Sequence, residues 1–358
     1  MNETTQSKRI VLTGGGTAGH VTPNIALLPS LRRAGYEISY IGSYSGIESR
    51  LIADYELPYY GISVGKMRRY FDLKNLTDPF RVIKGYAEAK KHLQIIKPHI
   101  VFSKGGFVGV PVVRAAASLG IPCIIHESDI SPGLANKLCI SAATVVCCNF
   151  PETVRLMASK KAVLTGSPIR DELRQGQKAA ALTLCQFNEH KPVILVIGGS
   201  QGSQSINLTL RAALPMLLDD FQIIHICGKD NRDDSLMGKK SYAQYEYVKA
   251  ELKDMFAAAD LVISRAGANS ICEILALQKP NLLIPLSAGS RGDQVLNARS
   301  FASQGFSLVI NNCDLTEELL VDKIHEIYFD RAHYIEAMEK SSQPNSINII
   351  MELIESLV

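Results

Sequence analysis

At 358 residues the chain is longer than one hydrophobic core usually supports, so two domains are expected. Its 46% hydrophobic and 20% charged residues, without any low-complexity tract, exclude a disordered or fibrous protein. A net charge of +3 is too small to point to a nucleic-acid partner.

The opening residues MNETTQSKR are polar, and the first apolar stretch, Ile10 to Leu12, runs straight into glycines; this predicts a strand and not a signal peptide. No stretch approaches the roughly 20 apolar residues of a membrane-spanning helix, so any membrane contact is expected to be peripheral. The eight cysteines form no C-x-x-C pair and no cluster at zinc spacing, and they are expected to be reduced, buried thiols of a cytosolic protein.

Short β-branched runs alternate with amphipathic stretches, the pattern of parallel sheets with crossover helices. The strand at Ile10 leads into the loop Gly14 to Gly19, a helix over about Val21 to Ala34 and a strand from Ile38 to Ile41. The same order returns with Val193 to Ile197, the turn Gly198-Gly199-Ser200-Gln201-Gly202, a helix from about Gln204 to Leu218 and a strand from Gln222 to Cys227. A second correspondence sets the register between the halves, because Ser103-Lys104-Gly105-Gly106 resembles Ser264-Arg265-Ala266-Gly267, each after a strand and before a helix. These repeats predict an α/β protein of two Rossmann-like domains facing each other across a cleft, with 1–166 as the first and 167–342 as the second. A terminal helix at about 343–358 is expected to pack back on the first.

In open parallel sheets, ligands lie beyond the carboxyl ends of the strands, where all four glycine turns fall. Gly14-Gly15-Gly16-Thr17-Ala18-Gly19 formally satisfies G-x-G-x-x-G, which raises a nicotinamide-dependent oxidoreductase as an alternative. That reading lacks the ribose-binding acid after the second strand, where Gly42-Ser43 follow Ile41. Between Lys66 and Lys97 nine cations stand against three acids.

Taken together, Gly15-Gly16-Thr17-Ala18-Gly19-His20, His126-Glu127-Ser128-Asp129, Gly198-Gly199-Ser200-Gln201-Gly202 and Arg265-Ala266-Gly267-Ala268 resemble the MurG family of glycosyltransferase family 28, over about Arg9 to Ile310. The resemblance implies a GT-B fold and inverting transfer of N-acetylglucosamine from UDP-GlcNAc to the C4 hydroxyl of MurNAc in lipid I. The product would be lipid II for peptidoglycan synthesis, and the enzyme would sit peripherally on the cytoplasmic face of the cell membrane. It implies donor contacts from Gly16, Thr17, Ala18, Gly19, Arg170, Ser200, Gln201, Leu252, Gly267, Ala268, Asn269, Ser270, Glu273 and Gln294, with Glu273 on the ribose. Acceptor contacts are implied for Gly106, Phe107 and Asn136. The chain departs from one branch of the family in carrying Asp129 for Asn and Phe107 for Tyr, which removes any hydroxyl role at position 107.

The residues themselves agree with this chemistry. A helix opening near Asn269 offers unpaired N–H groups to a diphosphate, with the Ser270 hydroxyl beside them. His20 is the first candidate for the base that deprotonates the acceptor hydroxyl, since imidazole titrates near neutral pH; Glu127 and Asp129 are rivals. His126, at the end of a strand, is as open to a structural role as to a catalytic one. No Asp-x-Asp pair occurs, so neither a metal nor another cofactor is expected. Cations interleaved with apolar groups around Lys66 to Lys84, Arg68, Arg69 and Phe71 among them, predict contact with an anionic membrane surface. A UDP-sugar 2-epimerase and a non-enzymatic sugar-binding module are the competing classes; the first has no lipid acceptor and so no use for that basic segment, and the second needs no diphosphate helix together with a base.

Overall fold

The computed structural model of the chain describes residues 7–65, 78–157, 161–199, 202–286, 292–341 and 345–358. It divides into two compact units, Met1–Arg170 with Asn345–Val358, and Asp171–Pro344.

The first unit begins with β1 (Lys8–Thr13), α1 (Thr22–Arg33), β2 (Tyr36–Ser43), α2 (Ile47–Ala53) and β3 (Tyr59–Ile62). It continues with α3 (Asp78–Ile96), β4 (Ile100–Ser103), α4 (Gly109–Ser118) and β5 (Cys123–Glu127), then α5 (Leu134–Cys139), β6 (Val145–Cys148), α6 (Pro151–Met157) and β7 (Ala162–Leu164). The strands form one parallel sheet in the order β3-β2-β1-β4-β5-β6-β7. β2 runs longer at both ends than the apolar run Ile38 to Ile41 suggests, because β1 pairs with it from Lys8 opposite Tyr36 to Thr13 opposite Ile41, and β3 carries the pairing on through Gly42 opposite Gly61 and Ser43 opposite Ile62.

Both faces of this sheet are covered, so its strands read as continuous apolar runs. The side-chain period of two sends Ile10 and Leu12 into one layer with Leu27, Leu28 and Leu31 of α1, and Val11 into the other with Ala89, Leu93, Val112 and Val113 of α3 and α4.

The second unit carries α7 (Lys178–Cys185), β8 (Val193–Ile197), α8 (Gln204–Leu217), β9 (Gln222–Ile226), β10 (Tyr242–Tyr245) and α9 (Leu252–Ala258). After these come β11 (Leu261–Ser264), α10 (Ala268–Ala276), β12 (Asn281–Leu283), α11 (Asp293–Ser303), β13 (Leu308–Val309), α12 (Glu317–Phe329) and α13 (Arg331–Glu339). Its parallel sheet has the order β10-β9-β8-β11-β12-β13, which repeats the first six positions of the other sheet. In each unit the chain reverses direction across the sheet between two central strands, β1 and β4 in one, β8 and β11 in the other. The four glycine turns follow these four strands, so the order that places a ligand crevice at the reversal places the turns beside it.

The last helix, α14 (Ser346–Glu355), returns to the first unit. Ile350 and Ile354 join the α1 layer without exposed surface, each contributing about 1.5–3 kcal/mol of burial, and Ser346 Oγ donates to the Ser167 carbonyl at 2.6 Å. Among the described residues no helix is long and apolar enough to cross a membrane. Seven cysteines are buried free thiols; Cys313 is exposed.

Candidate functional site

In the first unit the loop after β1 ends in a 3-10 turn, Ala18–His20, with Thr17 at its start. His20 Nδ1 lies 3.1 Å from Thr17 Oγ1, and the Gly15 carbonyl stands close enough to the ring to favour its protonated form. Gly106, after β4, has φ +76° and presses on this loop: a Cβ there would collide with the Gly15 carbonyl oxygen and stand 3.1 Å from His20 Nδ1. Phe107 follows, partly buried.

The imidazole does not titrate near neutrality as its residue type suggests. Burial, then the Lys104 charge, lowers its pKa to about 4 against the smaller opposing pull of Asp129 and Glu48. His20 is therefore neutral, able to accept a proton, across the physiological range.

The three residues that end β5 and follow it separate by environment. His126 is fully buried; its Nε2–H can only donate to the Gly166 carbonyl, at 2.9 Å, which leaves Nδ1 to accept from Lys104 Nζ at 2.9 Å. Lys104, itself buried, also donates to the Ser128 hydroxyl. Glu127 is buried too, and its carboxylate accepts from Asp129 N (3.0 Å), Gly133 N (2.9 Å) and Asn136 Nδ2 (2.8 Å). Burial raises its pKa against those bonds. Both oxygens thus hold the 128–133 loop, which disfavours Glu127 as the base, and Asn136 spends its amide on Glu127 and on the His126 carbonyl (3.1 Å). Asp129 stays partly exposed, close enough for its charge to act on His20.

In the second unit a cavity of about 400 Å³, within the range of ligand pockets, opens at the ends of β8 and β11. Its walls include Gly198, Gly199, Ser203, Arg265, Gly267, Ser270 and Gln294. Arg265 joins them: Nη1 donates to the Ile284 carbonyl (2.9 Å) and Asn312 Oδ1 (2.7 Å), Nη2 to the hydroxyls of Ser203 (2.6 Å) and Ser205 (2.9 Å). Ser203 also caps α8, accepting from Ile206 N at 3.4 Å. Gly267 caps α10 with no side-chain cap, so first-turn N–H groups of that helix are offered beside a guanidinium.

Of the expected donor residues, Gly267, Ser270 and Gln294 line this cavity, while Ala268, Asn269 and Glu273 share α10 with Ser270 without lining it. Gln294 accepts from Leu286 N at 2.9 Å, and Leu252 opens α9. Gly16 to Gly19 and Arg170 belong to the first unit. Ser200, Gln201, Arg68, Arg69 and Phe71 lie outside the described residues. Asn312, Ser203, Ser205 and Glu48 were not singled out from sequence; the matched pair Lys104 and Arg265 was seen, but not its role at the two strand ends.

A larger hollow of about 630 Å³, bounded by Phe306, His333, Glu336 and Lys340, sits at the amino end of β13. Glu336 and Lys340 pair across 2.6 Å there, and no strand's carboxyl end meets it, so size does not mark the ligand site. Among the described residues no cluster of His, Cys, Asp and Glu could hold a metal.

Residues 10–148 match the glycosyltransferase family 28 N-terminal domain, and residues 193–354 match the C-terminal domain of that family. The chain is 61% identical to a Lachnospira eligens protein over 97% of this chain and 99% of the relative. A Lachnoclostridium phytofermentans protein is 58% identical over 98% and 99%. Both are named UDP-N-acetylglucosamine–N-acetylmuramyl-(pentapeptide) pyrophosphoryl-undecaprenol N-acetylglucosamine transferase. The crystal structure of Acinetobacter baumannii MurG superposes with a TM-score of 0.77 at 25% identity, covering 98% of this chain and 99% of that one. Two Rossmann-like units of the GT-B class, both matched domains and near full-length identity above 55% agree: the chain belongs to glycosyltransferase family 28.

Proposed function

We infer that the chain transfers N-acetylglucosamine from UDP-N-acetylglucosamine to the C4 hydroxyl of the MurNAc sugar in undecaprenyl-pyrophosphoryl-MurNAc-pentapeptide, with inversion at the anomeric carbon. The carrying observation is full-length identity of 61% and 58% to proteins bearing the name of that activity.

His20 is read as the base that takes the acceptor's proton, supported by its neutrality at physiological pH and its place beside Asp129. Departing UDP gains negative charge, and the α10 N-terminus with Arg265 supplies a fixed positive field for it without a metal. Glu273, in the second turn of that helix, is read as the ribose contact. Arg170, Ser200, Gln201, Leu252 and the loop Gly16 to Gly19 remain the further donor contacts proposed, and Gly106, Phe107 and Asn136 the acceptor ones.

The acceptor's polyprenyl tail lies in a bilayer, and we read the basic face around α3 as the surface that docks there, on the cytoplasmic side. On that helix Arg81 and Lys84 are exposed beside Val82 and Ile83, and Ile83 keeps 66% of its surface. Such mixing suits anionic headgroups. The decisive assay is conversion of labelled UDP-GlcNAc and the lipid acceptor to a disaccharide lipid with release of UDP. UDP-GlcNAc consumption that proceeds without acceptor, or none with it, would reject the assignment in favour of an epimerase or a binding module.

A further inference from the structure

Glu48, in the first turn of α2, has no exposed surface and takes no part in the chemistry above. Its Oε2 accepts from Gly16 N at 3.0 Å, and its Oε1 accepts from Ser43 N at 3.1 Å and from the Ser43 hydroxyl. The chain is shaped around this carboxylate: a Cβ on Gly15 or on Gly46 would collide with it. A glycine turn at the end of a first Rossmann strand ordinarily turns its N–H groups toward a ligand's anion. Here one of them is already given to an anion of the protein's own.

The neighbouring positions are tied as well. The Gly14 carbonyl accepts from the buried Tyr40 hydroxyl at 2.7 Å, and the Gly15 carbonyl meets the His20 ring. Three consecutive residues are thus held by Tyr40, His20 and Glu48, and the peptide between Gly15 and Gly16 is gripped at both ends. The carbonyl that orients His20 and the N–H that Glu48 takes belong to that same peptide.

We propose that Glu48 is a positioning residue for the transfer reaction: by taking the Gly16 N–H it fixes the Gly15 carbonyl against the His20 ring, and so fixes which way the accepting nitrogen points. The proposal rests on the reading of His20 as the base. Glutamine cannot substitute, because three donors converge on two oxygens; an amide offers one accepting oxygen and sets an N–H against either Gly16 N or Ser43 N. Aspartate keeps both oxygens and the charge, one methylene short.

The test is steady-state kinetics of Glu48→Gln, Glu48→Asp, His20→Ala and the double variant His20→Ala/Glu48→Gln, with UDP-GlcNAc and a short-prenyl acceptor. Glu48→Gln should lose roughly 10- to 100-fold in kcat, the scale of a small misplacement of a reacting group, with the UDP-GlcNAc KM within about twofold of wild type. Glu48→Asp should recover part of the loss. On the His20→Ala background, Glu48→Gln should cost no more than about twofold, because its effect passes through a ring no longer present. Wild-type kcat in Glu48→Gln beside an inactive His20→Ala overturns the role of Glu48 alone, as does an undiminished loss on the His20→Ala background. A fully active His20→Ala rejects the base assignment and the proposal with it. Should Glu48→Gln fail to fold, Glu48→Asp decides by the same split, and a raised donor KM with unchanged kcat overturns the proposal.

Discussion

Replacing Arg265 by methionine removes a charge from the wall of the second unit's cavity while keeping an unbranched stem. Four of the five guanidinium N–H groups are engaged by Ile284, Asn312, Ser203 and Ser205, so on the proposed donor site the side chain should act on a diphosphate chiefly through its field. A unit charge roughly 6 Å from a phosphate, at an effective dielectric of about 20, is worth about 3 kcal/mol. Water and salt at a half-buried site reduce this to about 1–2 kcal/mol, or roughly 5- to 30-fold in affinity. Calorimetric titration with UDP alone measures it without the lipid acceptor. Arg265→Lys keeps the charge but has three N–H groups for four acceptors, so it should lose less than about fivefold. Arg232→Met, at an exposed site paired with Asp234, should bind UDP like wild type and serves as the control. An Arg265→Met variant with unchanged UDP affinity would refute the field argument.

Glu273→Ala should raise the UDP-GlcNAc KM at a cost of about 1–3 kcal/mol for a lost charged hydrogen bond, leaving the acceptor KM unchanged; an unaltered donor KM rejects the ribose assignment. Because the His20 pKa is lowered to about 4, the proposed base stays neutral well below pH 6.5, and kcat should be level between pH 6 and 8; an acid limb centred near 6.5 contradicts this. His225 is buried between Tyr242 (2.8 Å) and Asn207 (2.9 Å), and burial, with a lesser push from Arg211, lowers its pKa to about 3. Its folded pKa lies below the unfolded one, so the unfolded chain takes the proton first and stability falls as pH drops from about 6.5 toward 3, by about 2 kcal/mol at pH 5. In His225→Gln, denaturant titrations at pH 7 and pH 5 should differ by about 2 kcal/mol less than in wild type, and an equal difference argues against a buried neutral imidazole.

The fold was legible because its determinants are local. A β-branched run, a glycine turn and an amphipathic helix each declare themselves within about 20 residues, and their recurrence at Ile10 and Val193 betrayed the duplication. The start of α10 was legible for the same reason: Gly267 precedes it by one residue, and glycine turn and helix start are a single local feature. What sequence could not supply is adjacency across crossovers. Lys104, His126 and Gly166 lie tens of residues apart and meet only because β4, β5 and β6 run parallel side by side in one sheet, with β7 beyond them. Arg265 reaches Asn312 and Ser203 through the same kind of ordering around β11.

Environment was equally invisible. His20 and Glu127 looked like rival bases, and the choice between them turns on burial and on donors from Asn136 and Gly133 that no spacing announces. Nothing local in the sequence marks Glu48; only the fold sets Gly15, Gly16 and Ser43 around its carboxylate. The sequence by itself determined the alternation of strands and helices, the glycine turns and the family. Tertiary structure decided which polar groups are dry, which are shared and which stay open to a substrate, because those depend on neighbours brought together by packing and not by the chain.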